Sequence, residues 1–332
     1  MPPLGAGYLD GPAVTLEDVL AARETIGTRL HRTPVFTSAT LSEFTGARVY
    51  LKAELFQRTG SFKPRGVLNS LGSLSAEERR AGVIGISAGN HAQAVAFGAA
   101  GEGLDALLVM WQGASEQKIA ATRAYGASVD LTATSPAEAF ERLEELLATS
   151  GRTLIHPFDA APTIAGQGTV GLEIAEDVPD VDVVVVPVGG GGLLGGIATA
   201  ITGVRPSARV IGVEPELSTA LHSALAAGEP VEVVPQSIAD GLSAPHAGRL
   251  PLSICSTLGI EVLLVSEEDI RQGFRFLYER AKLACEPAAA VGAAALLVGK
   301  IPLEPGETVA VVISGGNVAG QTASDILGSR EG

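Results

Sequence analysis

Two cysteines in 332 residues, Cys255 and Cys285, are too few to staple a chain of this length. A disulfide scaffold is excluded, and both thiols are expected to be buried and reduced. Basic residues are scarce as well: 23 Lys and Arg stand against 37 Asp and Glu, a formal net charge of -14. Neutralising a nucleic-acid backbone takes clustered positive charge, so no polyanionic partner is expected. No uninterrupted apolar run reaches membrane-spanning length, and the opening "MPPLGAGYLDGP" has neither the basic nor the apolar segment of a secretory signal. A cytoplasmic protein with no membrane partner is the expectation. Internal repeats and low-complexity linkers are also missing, so composition alone marks no sharp domain boundary.

The chain is 46% hydrophobic, enough at this length for one large core or two smaller ones, and two lobes suit the size better. Apolar runs of strand length recur: "VIGIS" at 83–87, "ALLVM" at 106–110, "VVVVPV" at 183–188, "RVIGV" at 209–213, "VLLV" at 262–265 and "VAVVIS" at 309–314. Continuous apolar runs suit strands covered on both faces. Helices lie between them. "SPAEAFERLEELLATSG" offers Ser135 as N-cap, Pro136 at the first helical position, Glu138 to close a capping box and Gly151 as terminator, and "SEEDIRQGFRFLYERAK" opens similarly at Ser266. This alternation predicts an α/β protein with parallel sheets.

Chemistry is expected at the glycine clusters. In "DVVVVPVGGGGLLGGIATAITG" a strand runs into Gly189, Gly190, Gly191 and Gly192 and then into a helix. Free N–H groups and a positive partial charge at the helix start make such a loop a phosphate cradle. Gly190, Gly192 and Gly195 also spell GxGxxG, and the next strand ends in Glu214, which leaves a nicotinamide-dependent oxidoreductase open as a reading. Two further loops favour a different one. "ISAGNHAQAVAFGAA" places Ser87, Ala88, Gly89, Asn90 and His91 at a helix start, suited to a substrate carboxylate. "VVISGGNVAG" ends a strand with the hydroxyl of Ser314, and strand ends are where open α/β sheets bind ligands. A dinucleotide fold accounts for only one of these three loops.

Taken in order, "SFKPRG", "SAGNHAQ", "GGGGL" and "SGGN" resemble the fold-type II pyridoxal-phosphate enzymes, in the serine/threonine dehydratase and serine racemase branch, over essentially the whole chain. The resemblance implies two doubly wound open-sheet lobes of tryptophan synthase β-like fold: a larger one from residues 1–76 and 155–332, a smaller one from 77–154, and pyridoxal 5'-phosphate in the cleft. It implies that Lys63 forms the Schiff base and Phe62 packs near the cofactor. It further implies that Asn90 bonds the cofactor's 3'-oxygen, that Gly189, Gly190, Gly191, Gly192 and Leu193 hold its phosphate, and that Ser314 faces the pyridine nitrogen. Residues 87–91 then bind the substrate carboxylate.

Lys63, freed by the incoming amino acid, becomes the base at Cα, and the cofactor serves as electron sink. The implied reaction is loss of water from L-serine, L-threonine or a related 3-hydroxy amino acid, giving a 2-oxo acid and ammonia. A racemase, or a pyridoxal-phosphate protein without turnover, stays open beside it. In serine racemases a serine before the loop glycine serves the opposite face of Cα; here that residue is Ala88, which favours elimination.

Other residues carry weaker expectations. His91 is expected to shape its loop, Cys285 to pack, Trp111 to lie in core or interface, and Asp240 to lie near the pocket without a catalytic role. Glu286 is expected either near the substrate or as support for a helix N-terminus. Many relatives bind a divalent metal through a Glu, a carbonyl and an Asp. Glu214 and Ser218 match the first two positions, but Ala220 stands at the third, so no metal is expected. A homodimer is implied, and the short stretch after Ser314 leaves no regulatory domain to expect.

Overall fold

The computed structural model describes residues 14–329, so the opening stretch considered for a secretory signal lies outside the described residues. Ten strands are found among these: β1 (Val35–Thr37), β2 (Arg48–Lys52), β3 (Val83–Ile86), β4 (Ala106–Trp111), β5 (Ser128–Ala133), β6 (Thr153–Leu154), β7 (Val183–Pro187), β8 (Arg209–Pro215), β9 (Glu261–Val265) and β10 (Thr308–Val312). They form a six-stranded sheet ordered β1-β2-β10-β7-β8-β9 and a four-stranded sheet ordered β5-β4-β3-β6. Every pairing is parallel except the edge pair β1 and β2. All six apolar runs become strands. Their character follows from position: β7 and β10 are buried at every residue because helices cover both faces of the large sheet.

The order of strands locates the ligand site before any side chain is considered. In the large sheet the chain proceeds outward from β7 to β8 and β9, while β10 returns to the other side of β7. In the small sheet it proceeds from β3 to β4 and β5, while β6 returns to the other side of β3. Each reversal opens a crevice at the carboxyl ends of two neighbouring strands, the switch point at which such sheets take ligands. The four loops that leave these ends carry residues 87–91, 156–158, 189–193 and 314–317.

Local signals are mostly met. Ser135 accepts from the Glu138 N–H at 3.2 Å, and Gly151 ends the helix Pro136–Ser150 at φ +67°. The expected capping box is different in one respect. The Glu138 carboxylate accepts from the Thr134 N–H at 2.8 Å, one residue upstream of the N-cap, because the Thr134 hydroxyl draws the same oxygen at 2.7 Å. Ser266 makes the full box with Asp269. Cys255 and Cys285 are both buried and free, and Trp111 packs partly buried on a core of Ile84, Val109 and Leu143. Among the described residues no helix is long and apolar enough to cross a membrane.

Candidate active site

Lys63 opens the helix Lys63–Gly72, directly after Phe62 and with Pro64 in the first turn, where a missing N–H costs nothing. Its Nζ donates to the carbonyl of Pro157 at 3.0 Å and lies 5.1 Å from the centre of the Phe62 ring. Burial pushes this amine down to about 8, a shift that the nearby Glu286 carboxylate only partly opposes. Lys52, the other buried lysine near the cleft, is held differently. Its Nζ meets Glu173 at 2.7 Å, Asp177 at 3.3 Å and the Thr33 carbonyl at 2.8 Å, so all three donors are occupied. Lys52 is structural, whereas Lys63 has one neutral acceptor and donors to spare. Two residues beyond Lys63, Arg65 anchors the same helix through Glu54 at 2.8 Å and Glu173 at 2.7 Å, all in the interior.

The loop after β7 lies against the same Pro157 segment. A Cβ on Gly190 would fall 2.5 Å from two ring carbons of Phe158, and one on Gly192 would meet the Phe158 backbone at 2.8 Å. Gly191, at φ +92°, is the N-cap of the helix Gly192–Val204. Among the described residues the N–H groups from Gly189 to Leu193 have no acceptor. The same holds for the N–H groups of Ala88, Asn90 and His91 at the start of the helix Asn90–Glu102, while Gly89 N–H donates to Ser87 Oγ at 3.0 Å. Two sets of free donors at helix starts are two places for anions.

Ser314 joins this group through its carbonyl, which accepts from Phe62 N–H at 3.1 Å, and its buried hydroxyl has no hydrogen-bond partner among the described residues. Glu286 finds its side-chain partner outside its own helix. It sits at the N-cap of the helix Pro287–Leu297 but makes no capping bond; its two oxygens accept from Asn90 Nδ2 at 2.8 and 3.1 Å instead. Burial pushes this carboxyl up to about 7, against the stabilising Asn90 bond and with Asp240 adding to the rise. Asp240 pairs with Lys118 at 2.6 Å, joining the turn Asp240–Leu242 to the helix Glu116–Ala124 of the small sheet. Glu214 is occupied by backbone: it accepts from Leu221 and His222 N–H at 2.9 and 2.8 Å, capping the helix Ala220–Ala227.

His91 is fully enclosed and donates through Nε2 to the carbonyl of Ile155 at 2.7 Å. His156 accepts through Nδ1 from Asp159 N–H at 2.8 Å and shapes the loop that carries Pro157 and Phe158. Burial, with the Lys63 charge acting in the same direction, pushes His91 down to about 3, and burial likewise takes His156 down to about 4. Neither ring can take up a proton in the folded protein near neutrality, whereas the unfolded chain does so near 6.5. The contribution of these two rings to stability is therefore full above pH about 6.5 and declines as pH falls from there towards 4 and 3. The melting temperature should fall less steeply between pH about 6.5 and 5 in His91→Gln, whatever its absolute value. Equal slopes in the two proteins would refute a buried neutral His91.

The residues present suit a phosphorylated aldehyde: a desolvated amine, a cradle of unpaired N–H groups, a free hydroxyl and an amide donor converge from four loops. That donor set defines a cofactor-dependent α/β enzyme with its site between two sheets. Comparison with known proteins gives the family. Residues 26–315 match the model for pyridoxal-phosphate dependent enzymes, and the chain belongs to that family. It is 45% identical over 307 residues to an L-threonine ammonia-lyase of Thermotoga maritima, covering 92% of this chain and 76% of the relative. With the catabolic L-threonine dehydratase of Escherichia coli it shares 41% identity over 318 residues, 95% of this chain and 96% of the other. The solved structure of maize serine racemase superimposes with a TM-score of 0.90 at 33% identity, covering 94% of this chain and 96% of that one.

Proposed function

We propose that the protein is an ammonia-lyase that removes water from L-threonine, and from L-serine as a second substrate, to give a 2-oxo acid and ammonia. The observation that carries the reading is the desolvated Lys63 amine, bonded to the Pro157 carbonyl and following Phe62, whose N–H is bonded to the carbonyl of Ser314. The similarity to enzymes named for L-threonine supports the choice of substrate.

When bound, pyridoxal 5'-phosphate supplies the electron sink for charge developing at Cα. Gly189 to Leu193 would hold its phosphate by the free N–H groups, Asn90 its ring oxygen and Ser314 its ring nitrogen. The free N–H groups of Ala88, Asn90 and His91 orient the substrate carboxylate, in a loop braced by the Gly89 bond to Ser87. Lys63 moves the proton: in its neutral form, which burial favours, the amine takes the hydrogen from Cα, and the Cβ–O bond breaks as hydroxide leaves, with the proton now on Lys63 available to turn it into water. The enamine set free tautomerises and hydrolyses outside the site. Ser314, being neutral, holds no full positive charge on the ring nitrogen, which favours early loss of the β-substituent.

The same reading divides the lobes at residues 76/77 and 154/155, expects no metal, and carries a cytoplasmic homodimer, for which the family resemblance is the support. Borohydride reduction followed by peptide mapping tests the site: the label should fall on Lys63. A label on Lys52, or tight binding of NAD without any bound pyridoxal phosphate, would sink the proposal. Chiral chromatography tests the reaction. L-Serine should yield pyruvate with little D-serine, and Ala88→Ser should raise the ratio of racemisation to elimination; abundant D-serine from the unmodified protein would show that another group serves the opposite face of Cα.

A further inference from the structure

One side chain outside the set considered so far ties Asn90 to the loop that carries Lys63. Asn317 donates through Nδ2 to the carbonyl of Thr59 at 2.7 Å and to Oδ1 of Asn90 at 2.8 Å. Asn90 in turn donates through its own Nδ2 to Glu286. This chain of bonds can run in one direction only. A backbone carbonyl accepts and cannot donate, so the nitrogen of Asn317 must face Thr59. The second N–H on that nitrogen points to Asn90, which must then present its oxygen. Asn90 is left with its nitrogen turned towards Glu286 and the cleft. Glu286 accepts at the other end, so two neighbours agree on one orientation of an amide whose ends are nearly equivalent in shape.

The seat of Asn317 is closely defined. A Cβ on Gly60, at φ +73°, would lie 2.6 Å from Asn317 Oδ1, so the amide rests directly on that glycine. Gly316 N–H donates to the Gly60 carbonyl at 2.9 Å, and Ser61 bridges to Gly315. Thr59, Gly60 and Ser61 immediately precede Phe62 and Lys63. The amide orientation of Asn90, on the small-sheet side, is therefore set by the same loop that carries the amine, on the other side of the cleft.

We propose that Asn317 is a positioning residue that keeps the Asn90 nitrogen as the donor offered to the cofactor, an inference that rests on the functional reading given above. Asn317→Asp and Asn317→Ala separate positioning from packing. Aspartate keeps the shape on Gly60 but sets one oxygen, in place of Nδ2, against both the Thr59 carbonyl and Asn90 Oδ1, which forces Asn90 to turn over. Alanine leaves a gap and leaves Glu286 alone to hold the orientation of Asn90. Positioning makes N317D the worse variant, whereas packing makes N317A the worse one.

The measurements are cofactor retention by equilibrium dialysis of each holoenzyme, and the position of its visible absorption band. Retention in N317D should be weaker than in N317A by about tenfold or more, the scale of a buried pair turned from attractive to repulsive, with the band displaced only in N317D. N317D equal to or better than N317A would overturn the proposal. Should N317D not fold, N317D combined with Glu286→Gln decides, because the amide replacing the Glu286 carboxylate can donate to a turned-over Asn90. That double variant must fold and still hold cofactor more weakly than N317A, by about tenfold or more, or the proposal fails. If the unmodified protein holds no pyridoxal phosphate, the functional reading fails first and the inference with it.

Discussion

Lys63→Ala is expected to lower turnover of L-threonine by about three orders of magnitude or more, the loss that follows removal of a positioned base. Its melting temperature should be unchanged or raised. The interior around Lys63 offers its amine a single hydrogen-bond partner, and burial already disfavours the charged form, so removing the amine breaks one bond and takes from Glu286 only the weakest of the charges acting on it. Lys52→Met should behave in the opposite way. Glu173 would keep Arg65 and Asp177 would keep Arg32, but the Thr33 carbonyl and both carboxylates would lose a fully buried donor. Leaving buried acceptors without that donor costs about 1–3 kcal/mol, which should appear as a lower melting temperature and a smaller folded fraction. Turnover per folded molecule, measured for both variants beside thermal unfolding, separates the two lysines. A folded Lys52→Met without activity, beside a Lys63→Ala that keeps a tenth or more of turnover, would reverse the assignment.

The contrast between those lysines also shows where reading the chain alone reaches its limit. Lys63 announces itself by local pattern, between an aromatic and a proline that starts a helix. The donors and acceptors that make it reactive do not. Pro157 contributes through its carbonyl, 94 residues away, and nothing in its side chain signals that. Phe158, which occupies the space beside Gly190 and Gly192, reads in sequence as an ordinary core aromatic. Glu286 stays open between two roles in sequence because both need the same residue at the same helix start, and only the partner, Asn90, separates them. Strands follow the same rule. β7 and β10, buried on both faces, are legible as apolar runs, but β1 has three residues and β6 has two, too few for a pattern, while the six residues of the edge strand β5 carry their signal as a polar/apolar alternation and not as an apolar run.

The glycines of the loop after β7 divide sharply in what they tolerate, and the second large effect follows from this. Gly192→Ala should cost cofactor retention by about a hundredfold, whereas Gly195→Ala, three residues on, should be neutral or mildly stabilising. A methyl at 192 meets Phe158 Cα and O at 2.8 Å, and backbone cannot swing aside as a side-chain tip would. Displacing Phe158 also displaces Pro157 and with it the carbonyl bonded to Lys63, while the free N–H groups of the loop lose their alignment. At 195 the nearest atom, Ile254 Cδ1, is 3.5 Å away, an ordinary contact, and alanine is the better helix former by about 0.5–1 kcal/mol. This asymmetry argues against the dinucleotide reading of GxGxxG, in which the third glycine is needed for close packing of helix on strand. Absorbance of bound cofactor after dialysis, beside thermal unfolding of each variant, makes the comparison. Full retention in Gly192→Ala would mean that Phe158 and its loop yield at little cost and that the cradle is not held by this contact. Loss of cofactor in Gly195→Ala with an intact fold would mean that the helix start sits closer to its neighbours than 3.5 Å allows.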